Sequence, residues 1–190
     1  MVHLRIFSPI FVLLIYEHNS YTMSIRMMKS SLFTLLLMLT ISAVSAQEYK
    51  ATTEGWLVNL EEAAKISQET GKPIMANFTG SDWCGWCKRL KKNVFVEPAF
   101  KKWAEDNVVL LELDYPRRTK LPEEFRKQNA GLQQAFQVRG YPTVWVFNIS
   151  KNETSGKFEL APLGKTGYAK TVDQFTSTID QMIDKVAVSN

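Results

Sequence analysis

Trp83-Cys84-Gly85-Trp86-Cys87-Lys88 decides how this chain is read, because Cys84 and Cys87 are its only cysteines and stand three positions apart. If a helix begins at Cys84, positions i and i+3 share a face, and their Cα atoms fall within the roughly 4.4–6.8 Å that a disulfide tolerates. Such a pair can open and close while the domain stays folded. Its first cysteine would sit at a helix N-terminus, where unpaired N–H groups and the positive end of the dipole favour a thiolate. A CxxC thiol can fall from about 8.5 to somewhere between roughly 3.5 and 7.5. Cys84 is therefore expected as the attacking nucleophile and Cys87, one turn deeper, as the resolving thiol. Two alternatives stand beside this reading. A static disulfide closing so short a loop gains little chain entropy, and a zinc half-site needs two more N or S ligands in a chain with no third cysteine.

The rest of the composition narrows the chemistry. A chain of 190 residues, 45% hydrophobic and 12% aromatic, is long and apolar enough for one domain with a real core. The net charge of +4 raises a nucleic-acid reading, but the basic residues are spread along the chain rather than gathered in a block, so that reading is set aside. Both histidines, His3 and His18, precede the part expected to survive maturation. The mature domain thus lacks the usual general base, His metal ligands and any Cys-His dyad, and neither metal nor cofactor is expected.

The N-terminus reads as a targeting segment. Lys29 is followed by the apolar run Leu32 to Ile41 and then by Ser42-Ala43-Val44-Ser45-Ala46, the pattern of a secretory signal peptide over 28–46 with a small-residue cleavage site. Gln47 becomes the mature N-terminus. Residues 1–27 carry a separate apolar run, Ile6 to Tyr16, broken by Pro9, and read as a misassigned start upstream of Met27 or Met28. An uncleaved membrane anchor is the alternative. Removing 1–46 takes away Arg5, Arg26, Lys29 and Glu17, leaving 20 basic and 18 acidic residues and a net charge of +2. The expected division is a targeting segment, 1–46, and one domain, 47–190.

Within that domain, Asn59-Leu60-Glu61-Glu62 offers a helix cap, and the spacing of Leu60, Ala63, Ala64 and Ile66 predicts a helix over about 60–70. Pro73 to Phe78 is a short apolar run that suits a buried strand and delivers the chain to the cysteines. Beyond them Lys88 to Asn93 continues the helix, with Leu90 inward and Lys91 and Lys92 in solvent. Pro98 opens a further helix carrying Phe100, Trp103 and Ala104. Val108 to Leu113 reads as a second central strand ending at Asp114, joined to the first by a right-handed parallel crossover. Leu121 to Phe136 is helix-prone, with Phe125, Leu132 and Phe136 as inward candidates, and Arg117, Arg118 and Lys120 read as a solvated loop rather than a substrate contact. Gly140-Tyr141-Pro142-Thr143 precedes a strand from Val144 to Phe147. Asn148 to Gly156 is expected to turn, Lys157 to Leu160 to form an antiparallel edge strand, Gly164 and Gly167 to mark another turn, and 171–187 to form the last helix. Three glycosylation sequons, at Asn77, Asn148 and Asn152, are discounted, the first because it overlaps a core strand.

A buried strand, then Trp-Cys-x-x-Cys-Lys opening a helix, then Gly-x-Pro-Thr before another strand resembles the thioredoxin superfamily over about residues 56–187. The resemblance implies an α/β thioredoxin fold with a central mixed sheet of about four or five strands flanked by helices. It also implies a cis Tyr141–Pro142 bond that lays the Tyr141 backbone beside the disulfide, where a substrate strand can pair with it. Within the superfamily the chain is most similar to small exported bacterial proteins with Ser-Asp-Trp-Cys-Gly-Trp-Cys-Lys, which implies a periplasmic location. Three departures stand out. Trp86 replaces the proline common between the cysteines, Asn77 stands where a buried acid usually lies beneath them, and the segment 116–138 is longer than a minimal thioredoxin requires.

The function these readings imply is thiol–disulfide exchange, with protein or peptide disulfides as substrates. The reductase direction is favoured, with a membrane protein as electron donor and a monomer as the working unit. The alternatives are an oxidase or isomerase, or a peptide- or metal-binding protein in which the CxxC pair is no longer catalytic. Trp83 is expected to pack as scaffold beside the cysteines, and Trp86 to be exposed as a partner contact. Gly85 and Lys88 complete the motif.

Overall fold

Ile74–Thr79 forms β1, six residues buried without a break, as befits a strand covered on both faces. The computed structural model describes residues 49–187, so the expected start site, signal and cleavage point lie outside the described residues. Helix α1, Leu60–Thr70, precedes β1. Its Asn59 cap is as expected: Oδ1 accepts from the N–H groups of Glu61 and Glu62 at 2.8 and 3.1 Å, satisfying two of the donors that a helix start leaves unpaired.

After the cysteines come α2, Gly85–Leu90, a π turn, Lys91–Phe95, α3, Pro98–Asn107, and β2, Val109–Asp114. Strand β2 lies parallel to β1, with Ile74 opposite Val109, Asn77 opposite Glu112 and Thr79 opposite Asp114. Helix α4, Glu123–Ala135, leads to β3, Thr143–Lys151, which runs antiparallel along the other side of β1. The chain closes with β4, Phe158–Thr166, antiparallel to β3, and α5, Val172–Ala187. The result is a mixed four-stranded sheet in the order β2-β1-β3-β4 flanked by helices, as the resemblance implied. Leu57 covers the outer edge of β2 through a parallel bridge to Leu111.

The side chains of β1 alternate between two cores, as the period of a strand dictates. Ile74, Ala76 and Phe78 join Ala63, Ala64, Leu111, Leu113, Leu132 and Phe136 on the α1–α4 side. Met75 joins Leu90, Val94, Phe95, Phe100, Val146, Phe175 and Ile179 on the α2–α3–α5 side. Each fully buried side chain of this size contributes about 1.5–3 kcal/mol. By the same alternation Asn77, Thr79, Glu112 and Asp114 belong to the face that carries α2.

Four expectations are corrected. The helix after Cys87 does not run on as α; it widens into the π turn, where Val96 N–H bonds to Lys91 C=O at 3.1 Å. The wider turn lets the consecutive residues Val94 and Phe95 both enter the core. Lys91 is half-buried rather than solvated, its Nζ donating to the Thr52 carbonyl. Asn148 to Lys151 continues β3, because these residues pair with Phe158 to Ala161 of the edge strand. Gly164 lies within β4 rather than in a turn. A Cβ there would stand 2.7 Å from Met182 Cγ and Sδ, so the Met182 side chain of α5 rests in the space this glycine leaves open.

Candidate active site

Cys84 caps the N-terminus of α2 with an extended backbone, and its Sγ accepts from Cys87 N–H at 3.2 Å. The two cysteines form a disulfide with Cα atoms 5.3 Å apart, inside the range set by the i, i+3 spacing. Both are buried in this closed state, at 6% and 5% exposure, so a partner meets the rim around them first. Trp86 dominates that rim at 53% exposure, with Tyr168 edge-on at 4.9 Å and the Arg89 guanidinium 4.6 Å from its ring centre. Gly85 and Lys88 are exposed beside it. Lys88 Nζ donates to the Asp82 carbonyl at 3.1 Å.

Trp83 packs on the other side, half-buried. Its Nε1 donates to the Tyr115 carbonyl at 2.8 Å, its edge meets Tyr141 at 5.7 Å, and Arg117 lies 3.8 Å over its face. A Cβ at Gly80 would come within 2.4 Å of this indole, so the ring occupies space that only a glycine leaves free. The Tyr141–Pro142 bond is cis. Tyr141 Oη accepts from Gln133 Nε2 at 2.9 Å, and burial raises its pKa. Trp83 thus joins the motif to the Tyr141 side of the site. The wide cleft at Pro142, about 860 Å³, is lined by Arg139, Thr143, Trp145 and Lys165 and does not include the cysteines.

Several residues at the site have partners that the linear sequence does not show. The Asp82 carboxylate accepts the backbone N–H groups of Arg117 at 3.0 and 3.1 Å, Arg118 at 2.6 Å and Thr119 at 3.3 Å. These bonds, that of Arg117 foremost, hold its carboxyl below the usual range. The Arg117–Arg118 segment is an exposed loop, as expected, but one tied to the motif through its backbone. Ser81 is fixed likewise, its N–H and hydroxyl donating to Asp114 at 2.8 and 2.6 Å.

Below the cysteines lies a cavity of about 510 Å³ that Cys87, Asn77, Thr79 and Glu112 share. Asn77 is buried at 5% exposure, and its Oδ1 has no hydrogen-bond partner. Its neighbour Glu112 is buried at 2%, with Oε1 accepting Thr52 N–H at 2.6 Å and Oε2 accepting the Thr52 and Thr53 hydroxyls at 3.0 Å. Burial raises the Glu112 pKa, the Asp114 charge adds to the rise, and the threonine bonds oppose it. The strand pattern of Val108 to Leu113 hid this acid. Only its register with Asn77 shows what it faces.

These features place a Cys-x-x-Cys disulfide at the start of a helix on a thioredoxin fold. The chain belongs to the thioredoxin-like domain family, whose match covers residues 60–158. Its relatives include the disulfide bond reductase DsbH of Chlamydia pneumoniae, 32% identical over 111 residues, or 58% of this chain and 66% of that protein. The thioredoxin-related protein DsbJ of the same organism is 30% identical over 64% of this chain and 35% of its own length. A solved DsbH oxidoreductase structure superposes with a TM-score of 0.59 at 26% identity, covering 77% of this chain and 98% of that one. The chain therefore spans about two thirds of one of these curated relatives and about a third of the other.

Proposed function

We propose that this protein is an exported thiol–disulfide reductase. The Cys84 thiolate attacks a substrate disulfide, a mixed disulfide forms, and Cys87 displaces the substrate thiolate to close the Cys84–Cys87 bond. The observation that carries the reading is the closed pair at the start of α2, with its sulfurs held by a helix whose far end is locked into the core at Leu90. Trp86 supplies the exposed contact for the substrate, and the Tyr141 backbone a strand-pairing edge. Residues 1–46 direct export to the periplasm, and 47–190 form the working domain. No helix among the described residues is long and apolar enough to cross a membrane. Electrons reach the oxidised pair from a membrane-bound thiol donor.

Measurement of the reduction potential, with insulin reduction alongside, tests the direction. A potential near the reducing end of the fold's range, about −270 mV, with insulin turnover that Cys84→Ser abolishes, is expected. A potential near about −120 mV without insulin turnover overturns the reductase reading.

A further inference from the structure

The resolving step requires Cys87 to lose a proton. At that moment Cys87 Sγ attacks Cys84 Sγ, the Cys84–substrate bond breaks, and its electron pair leaves on the substrate sulfur. A buried thiol is disfavoured as a thiolate by its surroundings, so the proton needs a nearby acceptor within the protein. Asn77 cannot take it, since an amide oxygen is not a base at neutral pH.

The neighbouring strand can. In the parallel register Asn77 and Glu112 are direct partners and stand on the face that carries α2. Glu112 opens onto the cavity that also touches Cys87. We propose that Glu112 is the proton acceptor for Cys87 in the resolving step, reached through the cavity they share with Asn77. The cavity, about 510 Å³, is large enough for bridging water, and transfer through one water is within the reach of general base catalysis. The orphaned Asn77 Oδ1 is a ready acceptor for a water on that path.

The surroundings of Glu112 suit both of its protonation states. As a carboxylate it accepts three hydrogen bonds from Thr52 and Thr53. Once protonated it can donate to a threonine hydroxyl, which accepts as well as donates. Its raised pKa brings its proton affinity toward that of a thiol, where transfer is most effective. Other charges bear on it from each side. Asp114, along the same strand, raises its pKa, as burial does. Lys88, Lys91, Lys92 and Asp82 line the cavity, with Lys91 Nζ bonded to the Thr52 carbonyl. The Tyr49 hydroxyl, buried without a partner, interacts with both acids.

The proposal rests on the exchange reaction proposed above, and one stopped-flow trace separates the two. Reduced full-length protein mixed with dithiobis(nitrobenzoate) releases one thionitrobenzoate when Cys84 attacks and a second when Cys87 resolves. Glu112→Gln is expected to slow the second phase about tenfold near neutral pH and to move its pH midpoint up by about one unit, while the first phase stays within about twofold. Glu112→Asp should restore part of the loss, and adding Asn77→Asp to Glu112→Gln should restore the second phase by returning a carboxylate to the same cavity. A second phase unchanged by Glu112→Gln across the pH range overturns the proposal. Absence of the first phase in the parent protein overturns the exchange reading instead. Should Glu112→Gln fail to fold, the parent protein supplies the test through the Glu112 carboxyl resonance. A titration midpoint that differs between the oxidised and reduced forms supports coupling to Cys87, and one that is identical overturns it.

Discussion

The two faces of β1 and β2 are made of alternate residues of the same strands, yet they are chemically unlike. Toward α1 and α4 every side chain is apolar: Ile74, Ala76 and Phe78 from β1, Val109, Leu111 and Leu113 from β2. Toward α2 the strands begin apolar, with Met75 and Leu110, and end polar, with Asn77, Thr79, Glu112 and Asp114 all buried. The first face holds the sheet together. The second gives up apolar contact just where the strands reach the cysteines, and two acids in a buried setting are costly unless hydrogen-bonded. Each has its bonds, Glu112 from Thr52 and Thr53 and Asp114 from Ser81. The cost is localised beside the Cys84–Cys87 pair, where burial raises the pKa of Glu112.

The contrast can be broken from either side. Phe78→Ala, on the apolar face, should destabilise the fold by about 3–5 kcal/mol, measured by denaturant unfolding, while the reduction potential of the folded variant is unchanged. An altered potential would show that the faces are not separable. Glu112→Gln should act in the opposite sense on stability, and its effect should depend on pH. Because the folded pKa of Glu112 is raised, the stabilising contribution of its protonated form is full below the unfolded value and is lost as pH rises through the folded one. The variant should therefore gain a few degrees in Tm over the parent at alkaline pH and converge with it at acid pH. Trp86→Ala gives the smallest effect on stability, within about 0.5 kcal/mol for so exposed a ring, but insulin turnover should fall severalfold through KM. Unchanged turnover would remove Trp86 from the substrate contact.

What could be read beforehand follows the same division. The apolar face announces itself: Pro73 to Phe78 is apolar but for Asn77, and Leu60, Ala63 and Ala64 keep helical spacing, so strand, helix and crossover are legible. The spacing of Cys84 and Cys87 was enough to place the disulfide geometry. Glu112 was hidden because one charged residue in an apolar strand looks like a solvent-facing position. Its burial depends on Thr52 and Thr53, some sixty residues earlier, and no local pattern reports that. Gly164 misleads for a related reason. Its neighbour in space is Met182 of α5, so a glycine selected for close approach looks like one selected for a turn. Asn148, Ser150 and Lys151 are exposed where β3 runs beside an edge strand, while Ile149 between them is buried, and the polar residues outweigh the single apolar one in a linear reading.

Asp82 has a consequence for anyone moving this redox motif onto another scaffold. Its one carboxylate gathers the backbone of Arg117, Arg118 and Thr119, so the loop before the cysteines and the loop after β2 form one splice rather than two independent ends. A graft of Ser81 to Lys88 alone would carry the cysteines but leave Asp82 without its three donors and Trp83 without the Tyr115 carbonyl. Gly80 to Leu90 therefore has to travel with Tyr115 to Thr119, the two segments cut out as a pair, for Asp82 and Trp83 to keep their partners.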